Sequence, residues 1–390
     1  MVKSRALVIA LVALVVLAAC GDDDGSDASS ATTAGGAAET SAAGAGTTAA
    51  AAASLAEVCP ETIVVQSNWW PEPDHGLFYE LIGAGGTVDA NAATYSGPLL
   101  DTGVNLEIRA GGPAVGFQTA SAQMYQDPDI LLGMVGTDEA IVSAATQPTT
   151  AVLAWYAKNP QIFMWGDPAL DFGSVADIGA SGETVLAFDG SYLDVFEAQG
   201  LLNPEQIDTS YQGDPSRFLA ADGKIVQQGF VTSEPYFYEN ELPEWNKPVE
   251  FLLLDEDYPV YQNAIVVRSD ALEENSECLT ALVPILQQSA IDYVNDPAAT
   301  NAVLLDYVGQ LTGGFVLTEG GVADAVQKQL DLGIVGNGTD GVFGSFDDAR
   351  VQKLLDDLVP VLTASGTEVP EGLSTADLVT NEFLDPSISL

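Results

Sequence analysis

Short apolar runs alternate with amphipathic stretches along most of this sequence. The apolar runs read "TIVVQS", "VNLEIRA", "ILLGMV" and "AVLAW", and further along "TVLAF", "QGFVTS", "EFLLL" and "NAIVV". Strands that alternate with loops and helices are typical of an α/β fold with largely parallel sheets. After Ser269 the pattern becomes helical, through "LTALVPILQQSAIDYV", "NAVLLDYVGQL", "VADAVQKQL", "DDARVQKLLDDLVPVL" and "STADLVTNEFL". We therefore predict an α/β protein whose strand-rich part comes first.

Two irregular passages divide the strand-rich part. The first, "YAKNPQIFMWGDPALDFGSV", is rich in turn residues, and a fresh series of strands and helices begins after it at Thr184. The second, "LDEDYPVYQNAIVV", ends that series. A lobe built from an early and a late segment, with another lobe inserted between two crossovers, explains both passages. We predict a first lobe from residues 57–160 and 262–390 and a second lobe from residues 161–261.

The amino-terminal part predicts an export signal followed by a tether. Lys3 and Arg5 precede the uncharged apolar run from Ala6 to Ala19, which has the form of a secretory signal peptide over residues 1–19. The run ends "LAAC", which resembles the bacterial lipobox, where the cysteine, here Cys20, receives lipid after cleavage. Residues 20–56 contain no aromatic and no basic side chain and predict a flexible linker. We expect a protein anchored by lipid to the extracytoplasmic face of the cell membrane.

Charge and cysteine content narrow the partners and the compartment. The 11 basic and 56 acidic residues give a net charge of −45, which would repel a phosphate backbone, so nucleic acid is excluded as a partner. Apart from Cys20, the chain contains Cys59 and Cys278. In an oxidising compartment this even pair predicts one disulfide, and two buried free thiols are the alternative.

Three loops of the first lobe follow predicted strands and carry candidate ligand-binding residues. The stretch "NWWPEPDHGLFY" contains Trp69, Trp70 and His75, the only histidine of the chain. Gly112 lies in the loop after "LEIR", where it permits close backbone approach, and Asp138 follows "ILLGMV" at the start of a predicted helix. In open α/β sheets, ligands bind at the carboxyl ends of the strands. A tryptophan that caps the core and a histidine that bonds backbone are the structural alternatives.

Two loops of the second lobe hold the same position relative to their strands. "FDGSYLDVF" places Asp189 and Ser191 after one strand, and "TSEPYFY" places Glu234 and Tyr236 after another. Ordinary capping and turn chemistry is the alternative explanation for each loop.

Several enzyme and cofactor classes lack their sequence signals. The chain has no G-x-S-x-G and no P-loop, and its G-x-G-x-x-G at Gly336, Gly338 and Gly341 lies outside any βαβ unit. It also has no C-x-x-C or H-E-x-x-H that would indicate zinc. We predict no catalytic residue, no cofactor and no metal.

The tryptophan stretch resembles a family signature. "WWPEPDHGLFY" is similar to the "W-x-P-N-x-x-H-x-G-x-Y" motif of the NMT1/THI5-like family, substrate-binding proteins of ABC importers for thiamine pyrimidine precursors, with sulfonate, nitrate and riboflavin binders as relatives. Glu72 stands where the motif has Asn, and the glycine is displaced to Gly76. The resemblance implies a bilobal type II periplasmic-binding-protein fold, in which Trp69 and His75 line the cleft with the loops at Gly112 and Asp138. The second-lobe loops at Ser191 and Glu234 would close over the ligand.

The resemblance implies a monomeric solute receptor that delivers a small molecule to the permease subunits of an ABC transporter. Few bases are placed to meet an anion, the main ones being Arg109, Lys158, Arg217 and Arg268. We therefore expect a neutral or cationic nitrogenous solute. A sulfonate or nitrate receptor is the alternative within the family. An enzyme of the pyrimidine-synthase type on the same scaffold is the alternative of another class.

Overall fold

The computed structural model describes residues 54–312 and 316–390. The predicted signal peptide, Cys20 and nearly all of the predicted linker lie outside these residues. The linker was predicted to reach Ala56, and this boundary is wrong. Leu55–Val58 forms helix α1, because Ser54 and Glu57 cap its first turn and Leu55 is buried against the core.

The described residues form a seven-stranded and a five-stranded β-sheet. The first sheet has the order β2-β3-β4-β1-β5-β12-β6 and the second the order β11-β7-β10-β8-β9. The strands are β1 Thr62–Gln66, β2 Thr87–Asp89, β3 Thr94–Pro98, β4 Asn105–Arg109, β5 Ile130–Val135, β6 Thr149–Leu153, β7 Gln161–Trp165, β8 Val185–Leu186, β9 Ile207–Asp208, β10 Val226–Phe230, β11 Glu250–Leu253 and β12 Ala264–Arg268.

Helices flank both sheets and make up most of the chain after β12. Those after α1 are α2 Gly76–Ile82, α3 Ala120–Gln126, α4 Thr137–Ser143, α5 Val175–Ser181, α6 Ser191–Ala198, α7 Ser216–Ala220, α8 Glu234–Tyr236, α9 Ser276–Asn295, α10 Ala298–Gln310, α11 Glu319–Asp331, α12 Asp348–Ser365 and α13 Thr375–Leu378. Short 3-10 turns include Pro73–His75 and Gly112–Val115. None of the helices described is both long and apolar enough to cross a membrane.

Both sheets are mixed, so the prediction of largely parallel sheets holds only in part. Four of the ten strand pairs are parallel, β1 with β4 and β5 and β8 with β9 and β10, and the other six pairs are antiparallel. β12 is antiparallel to both of its neighbours, and so is β7. These two strands follow the passages between the sheets, so each starts at the edge where the parallel strands end and must run in the opposite direction.

The central strands are mostly apolar because both faces of the sheet are covered there. In β1, Ile63 and Val65 pack with Leu77 of α2 on one face, whereas Val64 packs with Met124 of α3 on the other. A strand buried on both faces reads as a continuous apolar run.

Cys59 and Cys278 form a disulfide that fastens the chain after α1 to helix α9. Their Cα atoms are 4.8 Å apart, and 219 positions separate them in the sequence. The bond lies on the side of the first sheet where α9 packs against α2.

Candidate functional site

The carboxyl ends of β1, β4 and β5 meet at the edge of the first sheet where β12 begins. Ser67 follows β1, and its amide donates to the carbonyl of Arg109 at 2.9 Å. Asn68 donates from Nδ2 to Oδ1 of Asn263 at 2.7 Å, which joins the end of β1 to the start of β12. The loops that the sequence singled out in the first lobe therefore share one edge of the sheet. This is the edge at which open α/β sheets bind their ligands.

A glycine is required at position 112 because the Trp69 ring lies against its backbone. Its backbone has φ 55°, and a Cβ built there would approach the Trp69 ring to 2.7 Å. The neighbouring Gly111 donates its amide to the carbonyl of Trp69 at 2.9 Å. Any side chain at Gly112 would push the indole away, so this glycine positions the tryptophan.

The two adjacent tryptophans differ in their surroundings. Trp70 is 8% exposed and packs with Ala93 and Ala110, which is the capping role that the sequence left open. Trp69 is only partly buried, and its ring centroid lies 5.9 Å from that of Phe117. Trp69 is therefore the tryptophan that has a ring available at the sheet edge.

His75 is fully buried and acts on Asn68. Its Nε2 lies 3.0 Å from Oδ1 of Asn68, whose amide nitrogen already donates to Asn263, so the histidine must be the donor. Burial lowers the pKa of His75 to about 3, which keeps the ring neutral at physiological pH. In this arrangement the imidazole orients the Asn68 amide.

Asp74 connects the first lobe to the second and was not singled out from the sequence. Its Oδ2 accepts from Oγ1 of Thr232, which follows β10, at 3.2 Å. Its Oδ1 accepts from Nε2 of Gln329 on α11 at 3.1 Å. Burial raises the pKa of Asp74 although Tyr156, Thr232 and Gln329 stabilise its charged form. The sequence feature that could have identified Asp74 is its position, as an acidic residue within the stretch "NWWPEPDHGLFY".

Asp138 makes a second connection between the lobes. Its Oδ2 accepts from the Tyr258 hydroxyl at 2.9 Å and from Oγ of Ser191 at 3.3 Å. Ser191 is the first residue of α6, after the short β8, so these two candidates meet across the cleft. Thr137, the first residue of α4, accepts from the Tyr261 amide at 3.0 Å. The helix N-cap is Gly136.

The remaining second-lobe candidates differ in their positions. Glu234 is partly buried and accepts from the Phe230 amide at 2.7 Å. Tyr236 lies against the start of α11, where a side chain at Gly320 would overlap its hydroxyl. Asp189 is exposed to solvent, and among the described residues no hydrogen bond joins its side chain to Asp138 or Glu234.

The buried carboxyl groups of these loops form two sets, Glu72, Asp74 and Glu234 in one and Asp138 and Glu139 in the other, and the charges within each set repel. Burial, and then the charges of Asp74 and Glu234, raise the pKa of Glu72 well above its ordinary value. Burial raises the pKa of Glu234 to about 7, with a contribution from Asp74. Burial and the neighbouring Asp138 likewise raise the pKa of Glu139 to about 7. The pKa of Asp138 is also raised by burial. A cation placed beside the first set would relieve repulsion from groups of both lobes.

The basic side chains in the described part of the chain are engaged elsewhere. Salt bridges to other carboxylates hold Arg109, Arg217, Lys247, Arg268, Lys328, Arg350 and Lys353. Lys158 donates to the carbonyl of Leu332 at 2.9 Å, and Lys224 is exposed. Within residues 54–312 and 316–390, no salt bridge involves the carboxyl groups of the cleft loops.

Two surface hollows lie elsewhere. One of about 550 Å³ is lined by Gln206, Asp208 and Arg217, and one of about 490 Å³ by Thr149, Ser269 and Asp377. Neither is lined by a predicted ligand-binding residue. In the part of the chain that the structure describes, no group of histidine, cysteine and acidic side chains is arranged to hold a metal ion.

No protein-family model matches this sequence, and no curated protein matches it. Solved structures do match. The ligand-binding component of an ABC-type import system from Staphylococcus aureus, with zinc bound, has a TM-score of 0.50 at 13% identity, over 85% of this chain and 100% of that chain. The aliphatic sulphonate binding protein SsuA from Escherichia coli has a TM-score of 0.52 at 14% identity, over 84% and 93%.

The putative sulfonate-binding SsuA from Methylobacillus flagellatus gives similar values, with a TM-score of 0.51 at 13% identity over 83% of this chain and 92% of that chain. At such identities the likeness establishes the fold. The predicted bilobal α/β fold of periplasmic binding proteins is confirmed.

Proposed function

We propose that this chain is the extracytoplasmic solute-binding component of an ABC importer. It takes up a small nitrogenous heterocycle of the thiamine-pyrimidine kind, carrying a protonated nitrogen, in the cleft between its lobes and presents it to the permease. The export signal, the tryptophan motif and the bilobal fold support the class of protein. The lipid at Cys20 holds the receptor, as a monomer, to the membrane.

The observation that carries this proposal is the set of carboxyl groups in the cleft. Glu72, Asp74 and Asp138 come from the first lobe and Glu234 from the second, and none of them has a basic partner among the described residues. Acids that share a partly desolvated site without a base are destabilised by their mutual repulsion. A cationic solute supplies the missing charge, and Trp69 supplies a ring on which a heterocycle stacks.

The same contacts suggest how solute favours closure. A ligand shifts an equilibrium between open and closed states only if it binds one of them more tightly. A cation between Glu72 and Glu234 contacts both lobes, so it binds the closed state best. Asp74 and Asp138 already accept hydrogen bonds from Thr232 and Ser191 of the second lobe. These two bonds are the contacts that we assign to the closed state.

A sulfonate or nitrate solute is the alternative within this class, because the SsuA proteins from Escherichia coli and Methylobacillus flagellatus are sulfonate binders by name. An anion needs a base or a set of unpaired amides. The four bases considered for that role each have another partner: Arg109, Lys158, Arg217 and Arg268. The cleft therefore favours a cation.

Native mass spectrometry of the protein purified from its own cells identifies a co-purified solute. Calorimetry then measures binding of thiamine, its aminopyrimidine moiety, ethanesulfonate and nitrate. We expect the nitrogenous compounds to bind and the anions to fail. Binding of either anion alone would overturn the cationic assignment. Turnover of a pyrimidine precursor by the purified protein would instead support the enzyme of the pyrimidine-synthase type.

A further inference from the structure

Phe117 is the most exposed phenylalanine that the structure describes. It is 69% exposed, against 40% for Phe188 and 36% for Phe237. It follows the glycine loop at the carboxyl end of β4, and its ring is tilted by 52° from that of Trp69 at a centroid distance of 5.9 Å. The ring therefore stands beside the tryptophan, at the sheet edge that faces the second lobe.

The backbone conformation at Phe117 disfavours a bulky side chain. Phe117 has φ 62°, in the left-handed region, directly after Gly116 at φ 64°. A positive φ is an outlier for a residue of this size, because the side chain crowds the backbone. The Phe117 amide closes the turn by donating to the carbonyl of Gly112 at 2.8 Å. Glycine would make this turn without the steric penalty, so the turn does not explain the phenylalanine.

Packing does not explain the residue either. A ring that stays more than two-thirds exposed buries little apolar surface, and Trp69 is the aromatic neighbour that it contacts. Exposure of the ring and strain of the backbone both oppose folding. Residues held in this way cluster at ligand clamps and other functional sites.

We propose that Phe117 is a second aromatic wall of the solute site and sets its preference for a planar ring. The inference rests on the proposed function, since it takes the solute to be a heterocycle that stacks on Trp69. The tilted rings of Trp69 and Phe117 form a corner that contacts such a solute from two sides. A positive charge on the solute is attracted by both ring faces.

The test compares two glycine substitutions. Phe117→Gly removes the ring and relieves the positive φ. Leu100→Gly is the matched control, because Leu100 is also exposed, at 54%, and also has a positive φ, 45°, but precedes β4 and so lies at the opposite edge of the sheet. Calorimetry measures binding of thiamine and its aminopyrimidine moiety to each full-length protein, and thermal scans without solute give each Tm.

We expect Phe117→Gly to bind the probes about 2- to 12-fold more weakly than the wild type, the range of an aromatic pair. Its Tm should be unchanged or higher, since strain is removed. Leu100→Gly should keep the wild-type affinity. An affinity of Phe117→Gly equal to that of the wild type overturns the inference, and so does a lower Tm, which would give the ring a packing role. If the wild type binds neither probe, the proposed function fails first and the inference fails with it.

Discussion

Trp69 and Trp70 are adjacent in sequence but differ in burial, and this difference predicts opposite effects of substitution. Trp69→Ala should weaken solute binding by about 5- to 150-fold, because stacking of a base on an aromatic ring contributes about 1 to 3 kcal/mol. The Tm of the solute-free protein should change little, since the Trp69 ring is only partly buried. Calorimetry and thermal scans measure both quantities.

Trp70→Ala is the matched control for that experiment. Trp70 is 8% exposed and packs with Ala93 and Ala110, so its truncation should lower the free energy of unfolding by about 3 to 5 kcal/mol. The folded fraction should bind solute nearly as well as the wild type. If Trp69→Ala lowers the Tm and leaves affinity unchanged, Trp69 covers the core and the site lies elsewhere.

The raised pKa values of Glu139 and Glu234 predict how stability depends on pH. Each carboxyl has a pKa of about 7 in the folded protein, above its ordinary value of 4.5, so the folded state binds the proton more tightly than the unfolded state. Stability from these groups is therefore fully present below about pH 4.5 and is lost as the pH rises through 7. The Tm of the solute-free protein should rise when the pH is lowered from 8 to 5.

Glu234→Gln isolates one of these groups and keeps an acceptor for the Phe230 amide. The variant should be more stable than the wild type at pH 8, by up to about 3 kcal/mol, and equal to it near pH 4.5. Thermal scans at both pH values measure this difference. A constant difference across the range would mean that Glu234 titrates normally. Cation binding should show the opposite trend and weaken as the pH falls.

At the scale of elements, the disulfide joins the chain just after α1 to helix α9, which lies far away in the sequence. Cys59 follows α1 and Cys278 lies in α9, with 219 positions between them. Closing so long a loop restricts the unfolded chain and stabilises the fold by up to about 5 kcal/mol in the chain-entropy model. We expect no free thiol in denatured, unreduced protein that begins after Cys20, and a markedly lower Tm for the double variant Cys59→Ser, Cys278→Ser. Two free thiols would contradict the bond.

The pattern of apolar residues alone predicts the strands that are buried on both faces and the long helices. The runs around Ile63, Leu132 and Val266 form β1, β5 and β12, and the helical periodicity after Ser269 gives α9 to α12. The sequence predicts an irregular crossover at β7, "QIFMW", because this stretch has no alternation of apolar and polar residues and turn residues flank it on both sides. The edge strands β2 and β3 were missed because they are short and mostly polar. They are held by Tyr95, which packs with Tyr79 and Tyr307.

The sequence located the loops of the site but not the contacts between them. Strand ends gave Trp69, Gly112, Asp138, Ser191 and Glu234, which follow from local pattern. The bond between Asp74 and Thr232 joins residues that are 158 positions apart, and no local signal reports such a pair. Phe117 was missed for a related reason, since its exposure and its positive φ are properties of the folded chain.

For the whole molecule, the bond between Asp74 and Thr232 should matter only when the lobes are closed. Opening of the lobes exposes both groups to water without unfolding either lobe, so Thr232→Val should lower the Tm of the solute-free protein less than a comparable substitution inside one lobe does. In the closed state the variant leaves a buried carboxylate oxygen without its donor, and a hydrogen bond to a charged group contributes about 1.5 to 3 kcal/mol. Solute affinity should therefore fall by about tenfold or more.

Thr300→Val is the control for this experiment, because Thr300 is 1% exposed and also donates to a carboxylate, that of Glu80, but both residues lie in the first lobe. It should lower the Tm and leave solute affinity unchanged. Small-angle scattering provides a second measurement, since solute should reduce the radius of gyration of the wild type more than that of Thr232→Val at equal solute concentration. If Thr232→Val behaves like Thr300→Val in both measurements, the contact between Asp74 and Thr232 is a permanent part of the fold, and closure of the lobes depends on other residues.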